Sequence, residues 1–303
     1  MDRIISPRNL VSFAKGAQRL RRRSTIGGWM AGLAITVLVV IWVTPTVGLF
    51  VSSFRTDFDI QSSGWWTTLI DPFDRTQWTI DNYRRVLEAE ALGRAFVNTM
   101  AVTLPSVVLT LLIAAYAGYA FSWIDFRYRD IYFGIFVAML VVPLQVAFIP
   151  LLRSWTGLGM SRSLLSIWLT HTGFGMPIAT LIIRNYIAGL PAELIEAARM
   201  ERASHFQVFR KVVLPLSMPA IAAFSVFQFL WVWNDFLVAL VFLGGNPDRQ
   251  VLTMALQKLI SSRGTDWHLL SAGAFVTMVV PLLVFITLQK HFVRGLTAGA
   301  VKG

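Results

Sequence analysis

At 303 residues the chain is long enough for two modest soluble domains, but 55% hydrophobic and only 14% charged residues exclude that reading. Soluble domains carry about 25% charged residues, and disordered chains are poor in apolar ones. The absence of cysteine removes disulfides, thiol catalysis and thiolate metal sites. A net charge of +11 points to nucleic acid or to a membrane surface, and its placement along the chain separates the two.

A helix that crosses the hydrocarbon core needs about 20 mostly apolar residues. Six such runs predict spans near 29–51, 95–120, 131–152, 163–187, 216–242 and 269–289. The first, Trp29 to Val51, carries no charge and lacks a small-residue cleavage pattern after it, so it is expected to be retained. Pro45, Pro105, Pro143, Pro177, Pro219 and Pro281 fall inside runs, which membrane helices tolerate when neighbours satisfy the freed carbonyls. Between the first two spans a short helix is expected around Asp81 to Leu92, and Gly244-Gly245-Asn246-Pro247 marks a turn after the fifth.

Lysine and arginine set the orientation. With the N-terminus inside, 17 of the 27 basic residues lie on the cytoplasmic side, together with 6 of the 16 acids. Both termini are therefore expected in the cytoplasm. Arg19 to Arg23, in a basic segment 1–28, precedes the first span directly. Such a cluster suits anionic headgroups better than nucleic acid.

The cytoplasmic segment 188–215 is the most informative. Pro191 suits a first helical position, Glu193 and Glu196 fall near the positive end of that helix, and Leu194, Ala197 and Ala198 are expected on one face. Ser204 followed by Gln207 is a capping-box pattern that starts a second helix near His205, with Phe206, Phe209 and Val213 as its apolar stripe. On physical grounds alone the pair is either a docking element or an interfacial pair lying on headgroups.

Glu196-Ala197-Ala198, with Val212 and Leu214-Pro215 at matching offsets, resembles the EAA loop of binding-protein-dependent ABC importer permeases. That pattern has glycine where this chain has Arg202, which must avoid a left-handed turn or accept its strain. Asp81-Asn82-Tyr83, Ala115-Tyr116-Ala117, Trp233-Asn234-Asp235-Phe236 and the tail Phe292 to Gly303 are similar to the carbohydrate branch, on the MalG side of maltose-type importers, and Ser62 to Trp66 is similar to α-glucoside permeases. The resemblance implies an all-α membrane protein with six transmembrane helices of the type I ABC importer permease fold. It implies a transmembrane domain over 29–293, a cytoplasmic tail 294–303, and residence in a bacterial or archaeal cell membrane. It implies an ATP-driven importer of a di- or oligosaccharide. The chain would form half the path and work by alternating access. The implied partners are a homologous MalF-like permease, two cytoplasmic ATPase subunits or copies holding ATP and Mg, and an extracellular sugar-binding protein. Glu196, Ala197, Ala198, Arg199, Arg202 and Ser204 are the implied ATPase-coupling residues.

No lysine is followed by Ser or Thr, so a Walker A ending is absent, and this chain is expected to hold no cofactor and to catalyse no covalent step. The four histidines are scattered, which gives no catalytic metal pattern. Sugars need hydrogen-bonding groups in an otherwise apolar path. Gln145, His171 and Gln228 are candidates at membrane depth, and Asn234 and Asp235 are candidates for an outer gate. The competing reading of each is a polar residue packing helix against helix. Gly173, Gly175 and Pro177 beside His171 are expected to interrupt the fourth span, as broken helices often flank substrate sites. An ion-coupled secondary transporter is the alternative function. It would need intramembrane ionisable pairs, whereas Asp235 is the one carboxylate placed in a span. A membrane-embedded enzyme would need a convergent His, Asp or Glu cluster at membrane depth.

Overall fold

The computed structural model describes residues 7–88, 92–262 and 266–300, with backbone alone for 7–27, 261–262 and 290–300. It is all-helical: among the described residues the only β pairing is one isolated bridge, Arg55 to Trp78. The helices are α1 (Pro7–Ser53), α2 (Asp57–Ser62), α3 (Asp81–Glu88), α4 (Leu92–Trp123), α5 (Arg129–Ala138), α6 (Leu144–Gly157), α7 (Leu164–Ile187), α8 (Ala192–Met200), α9 (His205–Trp233), α10 (Leu237–Leu243), α11 (Leu252–Ser262) and α12 (Trp267–Ala300). Five are long and apolar enough to cross a membrane, at Gly28–Ser53 of α1, α4, α7, α9 and Trp267–Gln289 of α12. At about 1.5 Å per residue even the shortest exceeds the roughly 30 Å hydrocarbon thickness.

Four of the six expected spans form as read, and two differ. The third is broken: Arg129–Val141 and Leu144–Gly157 meet at 107°. Pro143 has no N–H for a helix bond and drives Val142 to an extended ψ of 120°. The fifth ends early, at Trp233, and resumes only as α10. Its start is also earlier than expected, because α9 runs unbroken from His205 through a π-helical stretch at Phe209–Val213. The expected second short helix of segment 188–215 is therefore the first turn of the fifth span. No break falls at residue 28, since α1 is continuous from Pro7, and none at 293, since the backbone stays helical to Ala300. The side chains of Arg19 to Arg23 and of the tail motif lie outside the described residues.

The core lies between α4, α7 and α9. Gly118 lets α4 approach α7 closely, because an added Cβ would sit 3.1 Å from the backbone N of Arg184. Small residues at such crossings replace the hydrophobic drive that lipid removes. α7 stays helical through Gly173, Gly175 and Pro177, so the expected interruption of the fourth span does not occur. Between α1 and α3 the chain folds around two buried polar side chains. Arg55, 1% exposed, donates to the carbonyls of Asp59 and Ser63 and to Ser63 Oγ. Burial pulls its guanidinium pKa below the usual value, and Asp59 opposes that shift. Asn82 Nδ2 donates to Ser53 O at 2.9 Å and Arg55 O at 2.8 Å, which ties α3 to the end of α1.

Replacing Asn82 by Ala leaves two buried carbonyls without their donor. We expect a stability loss of about 2–3 kcal/mol, read as a lowered Tm of the purified chain; a loss below 0.5 kcal/mol, on the order of a neutral surface change, would show that water replaces the side chain.

Candidate functional site

Two groups of residues stand out, one at the end of the bundle formed by segment 188–204 and one buried between α4, α7, α9 and α10.

The first is a helix-turn-helix whose turn is built by two caps. α8 ends in a Schellman arrangement: Arg202 N donates to Arg199 O at 2.9 Å and Ala203 N to Ala198 O at 3.2 Å. This geometry puts residue 202 in the left-handed region, and Arg202 has φ 58°. The chain therefore accepts the strain at the position where the resembled pattern has glycine, at about 1–2 kcal/mol. The capping box then starts α9, with Gln207 N donating to Ser204 Oγ and Ser204 N to Gln207 Oε1.

Ile195 is buried in a core with Val208, Phe209 and Val213, and Ala198 packs against it. Ala198 thus belongs to the inner face rather than to the expected face of Leu194 and Ala197. Glu196, Ala197 and Arg199 are exposed, and so are Leu194, Met200 and Phe206. The expected stripe of α9 divides in the same way, with Phe209 and Val213 buried and Phe206 at 57% exposure. Leu194, Ala197, Met200 and Phe206 are thus apolar side chains left exposed on the helix pair, as are the charged Glu196, Arg199 and Arg202. Sequence reasoning missed the exposure of Met200, and it placed Phe206 on the same stripe as the buried Phe209 and Val213. It also missed the seat. Arg199 donates to Trp123 O at 2.6 Å, Trp123 Nε1 donates to Ile187 O at 3.3 Å, and Tyr119 Oη lies 3.1 Å from His205 Nδ1. The ends of α4 and α7 are thereby fixed to the helix pair. An open cavity of about 620 Å³ beside them is lined by Ser122, Asp125, Arg129, Arg199, Arg202 and His205, among others.

The second group holds the expected path residues. His171 is 2% exposed on α7, and its Nε2 lies 3.9 Å from Asp235 Oδ2. The fifth span, expected to run through Asp235 to residue 242, is interrupted there instead. Asp235 sits in the break after α9, where its carboxylate accepts from Val238 N and Ala239 N and caps α10. Asn234, exposed in the same break, donates to Leu230 O at 2.8 Å. Gln228 is fully buried against Gly175, one helical turn from His171; a Cβ there would lie 2.6 Å from Gln228 Nε2. Gln145 does not join them. It is exposed in the first turn of α6, just past the break at Pro143. The buried side-chain atoms of Thr103, His171, Thr172, Thr180, Ser217 and Gln228 have no hydrogen-bond partner. They are distributed over α4, α7 and α9.

Two substitutions test this geometry. At residue 202 glycine is expected to be more stable than alanine by about 1 kcal/mol, the reverse of a helix interior, because only glycine relieves a positive φ; Tm of the two variants orders them. Gly175→Ala is expected to destabilise by about 1–3 kcal/mol through overpacking on Gln228. A double-mutant cycle with Gln228→Ala should recover most of that loss, and strictly additive effects would place the strain elsewhere.

Residues 110–298 match the family described as binding-protein-dependent transport system inner membrane component. The chain is 50% identical over 270 residues to the osmoprotective compounds uptake permease protein GgtD of Synechocystis sp., which covers 89% of this chain and 91% of GgtD. It is 38% identical to the alpha-glucoside transport system permease protein AglG of Rhizobium meliloti, over 93% of this chain and 99% of AglG. In fold it is similar to a chain of a bacterial ABC transporter involved in the import of the acidic polysaccharide alginate. The TM-score is 0.60 at 14% identity, over 90% of this chain and 99% of that one. A family match over more than half the chain, two relatives matched along nearly their whole length and an importer-permease fold agree, and nothing in them supports the ion-coupled alternative. The chain belongs to the inner-membrane permeases of binding-protein-dependent ABC importers, as a multi-pass subunit of the membrane.

Proposed function

We propose that the chain forms half of the translocation path of an ATP-driven importer of an α-glucoside or related di- or oligosaccharide. A second, MalF-like permease supplies the other half, and an extracellular sugar-binding protein delivers the substrate. ATP and Mg sit on two separate cytoplasmic ATPase subunits or copies. Both termini and the α8 turn face the cytoplasm, in keeping with the excess of Lys and Arg on that side.

One observation carries the coupling reading: the apolar side chains of Leu194, Ala197, Met200 and Phe206 stand exposed while Ile195, Val208, Phe209 and Val213 of the same helices are buried. Exposed apolar side chains together with the charged Glu196, Arg199 and Arg202 suit a protein groove better than water. Ser204 positions Phe206 by capping α9. Residues His171, Gln228 and Asp235 take part in the path as packing groups in the described conformation, and the unpaired polar atoms of His171 and Gln228 would meet water or sugar when α7 and α9 part. Asn234 and Gln145 are already exposed.

The substrate reading rests on the match to AglG along 93% of the chain. A second reading, uptake of osmoprotective compounds, is favoured by the 50% identity to GgtD.

Glu196→Lys in the assembled complex is expected to leave expression and assembly intact and to lower substrate-stimulated ATP hydrolysis at least tenfold, a loss of about 1.4 kcal/mol of coupling. Unchanged stimulation would remove Glu196 from the interface. Uptake by membrane vesicles of a panel of α-glucosidic disaccharides and osmoprotectants separates the two substrates, and uptake that persists without any ATPase subunit would defeat both.

A further inference from the structure

Over the residues of α1 whose side chains are described, contact with the bundle is concentrated at one end. Its side chains from Gly28 to Val47 are exposed, whereas Gly48 meets the Trp65 ring and Phe50 packs edge-on against Phe275 of α12 at 5.2 Å between centroids. Just beyond that contact, Asp57 at the start of α2 meets Asp266 and His268 at the start of α12. Each offers one donor atom, and the three atoms lie within 4.8 Å of one another.

His268 is the unusual member. It is 3% exposed, and neither ring nitrogen has a hydrogen-bond partner. Its Nδ1 is 3.0 Å from Asp57 Oδ1, yet the contact lacks the alignment of a hydrogen bond. Two donors each about 2.1 Å from a common ion, at a right angle to one another, stand about 3 Å apart. The pair therefore has the spacing of two ligands and not the direction of a donor and acceptor. Gln61 Nε2 donates to the same Asp57 oxygen at 2.9 Å, an outer partner that fixes the carboxylate. Asp57 keeps a half-exposed side chain, which leaves an approach from water and room for water ligands.

We propose that Asp57, Asp266 and His268 form a binding site for a divalent transition-metal ion that fastens the end of α1 to the start of α12. An imidazole with two carboxylates selects such ions over Mg²⁺ and Ca²⁺, which take all-oxygen sets. The inference stands on this cluster alone and is independent of the transported substrate.

The test uses the full-length chain, purified with a tag that contains no histidine and placed in phospholipid nanodiscs. Zn²⁺ at micromolar concentration is expected to raise Tm by several degrees, Mg²⁺ at the same concentration to leave it unchanged, and Co²⁺ to give visible d–d absorption that saturates at one equivalent per chain. Asp57→Asn and Asp266→Asn should each abolish the shift and the absorption band while keeping the metal-free Tm near that of the parent chain. His291→Gln should keep both signals. Absence of a saturable band, or an equal Zn²⁺ shift in both aspartate variants, overturns the site. Should His268→Gln fail to fold, the aspartate variants decide alone.

Discussion

The close crossing of α4 and α7 at Gly118 is the contact on which the rest of the structure depends. With hydrocarbon outside the bundle, apolar side chains gain little by leaving lipid for protein, so association rests on near approach and on satisfied backbone. Gly118 brings the α4 backbone against that of Arg184, and the ends of both helices then lie together. Trp123 bridges them, donating to Ile187 O while its own carbonyl accepts from Arg199. The α8 turn therefore reports the position of two spans at once. Ile195 and Ala198 complete the seat on the inner side, while Leu194, Met200 and Phe206 stay exposed among the described residues.

The bundle also buries unpaired polar atoms. Thr172, Thr180, Ser217 and Gln228 are buried on α7 and α9, at a cost of about 1–3 kcal/mol for each unsatisfied group. A bundle with one working conformation would gain by making them apolar. In the proposed transport cycle the cost is offset whenever the helices part and water reaches them. Asp235 differs in kind, since its carboxylate is occupied in capping α10.

How much could be read from the chain depends on the range of the interaction. Apolar run length located the first, second, fourth and sixth spans, because that signal is local. The capping box at Ser204 was also legible, since it is set by residues within one turn, whereas the sequence left open whether Arg202 avoids or accepts the left-handed turn that it adopts. The breaks were not legible. Pro45, Pro105, Pro177, Pro219 and Pro281 sit inside continuous helices, and Pro143 alone ends one. Residue type is identical in all six, so it does not distinguish them. Asn234 and Asp235 looked like polar residues near a span's end, yet both hydrogen-bond to helix termini that their own break creates. The proximity of Asp57 to His268 lay beyond any spacing rule, because it is made by α1 and α12 meeting in space.

The continuity of α9 changes how a signal at the α8 turn would travel. A separate surface helix joined to the fifth span by a flexible link could tilt without moving the span. Here His205 and Trp233 belong to one helix about 43 Å long, continuous through the π-helical stretch at Phe209–Val213 and through Pro215 and Pro219. Val208 just before that stretch and Phe209 and Val213 at its two ends are buried, so it is clamped rather than loose. A push at the capping box must then displace Gln228 against Gly175 and reach the break at Asn234, where rigidity ends and Asp235 starts a new helix. The strained turn at Arg202 and the break at Asn234 thus bound one lever. Its stiffness, more than any single side chain along it, is what would let an event on the turn be felt at His171 and Asp235.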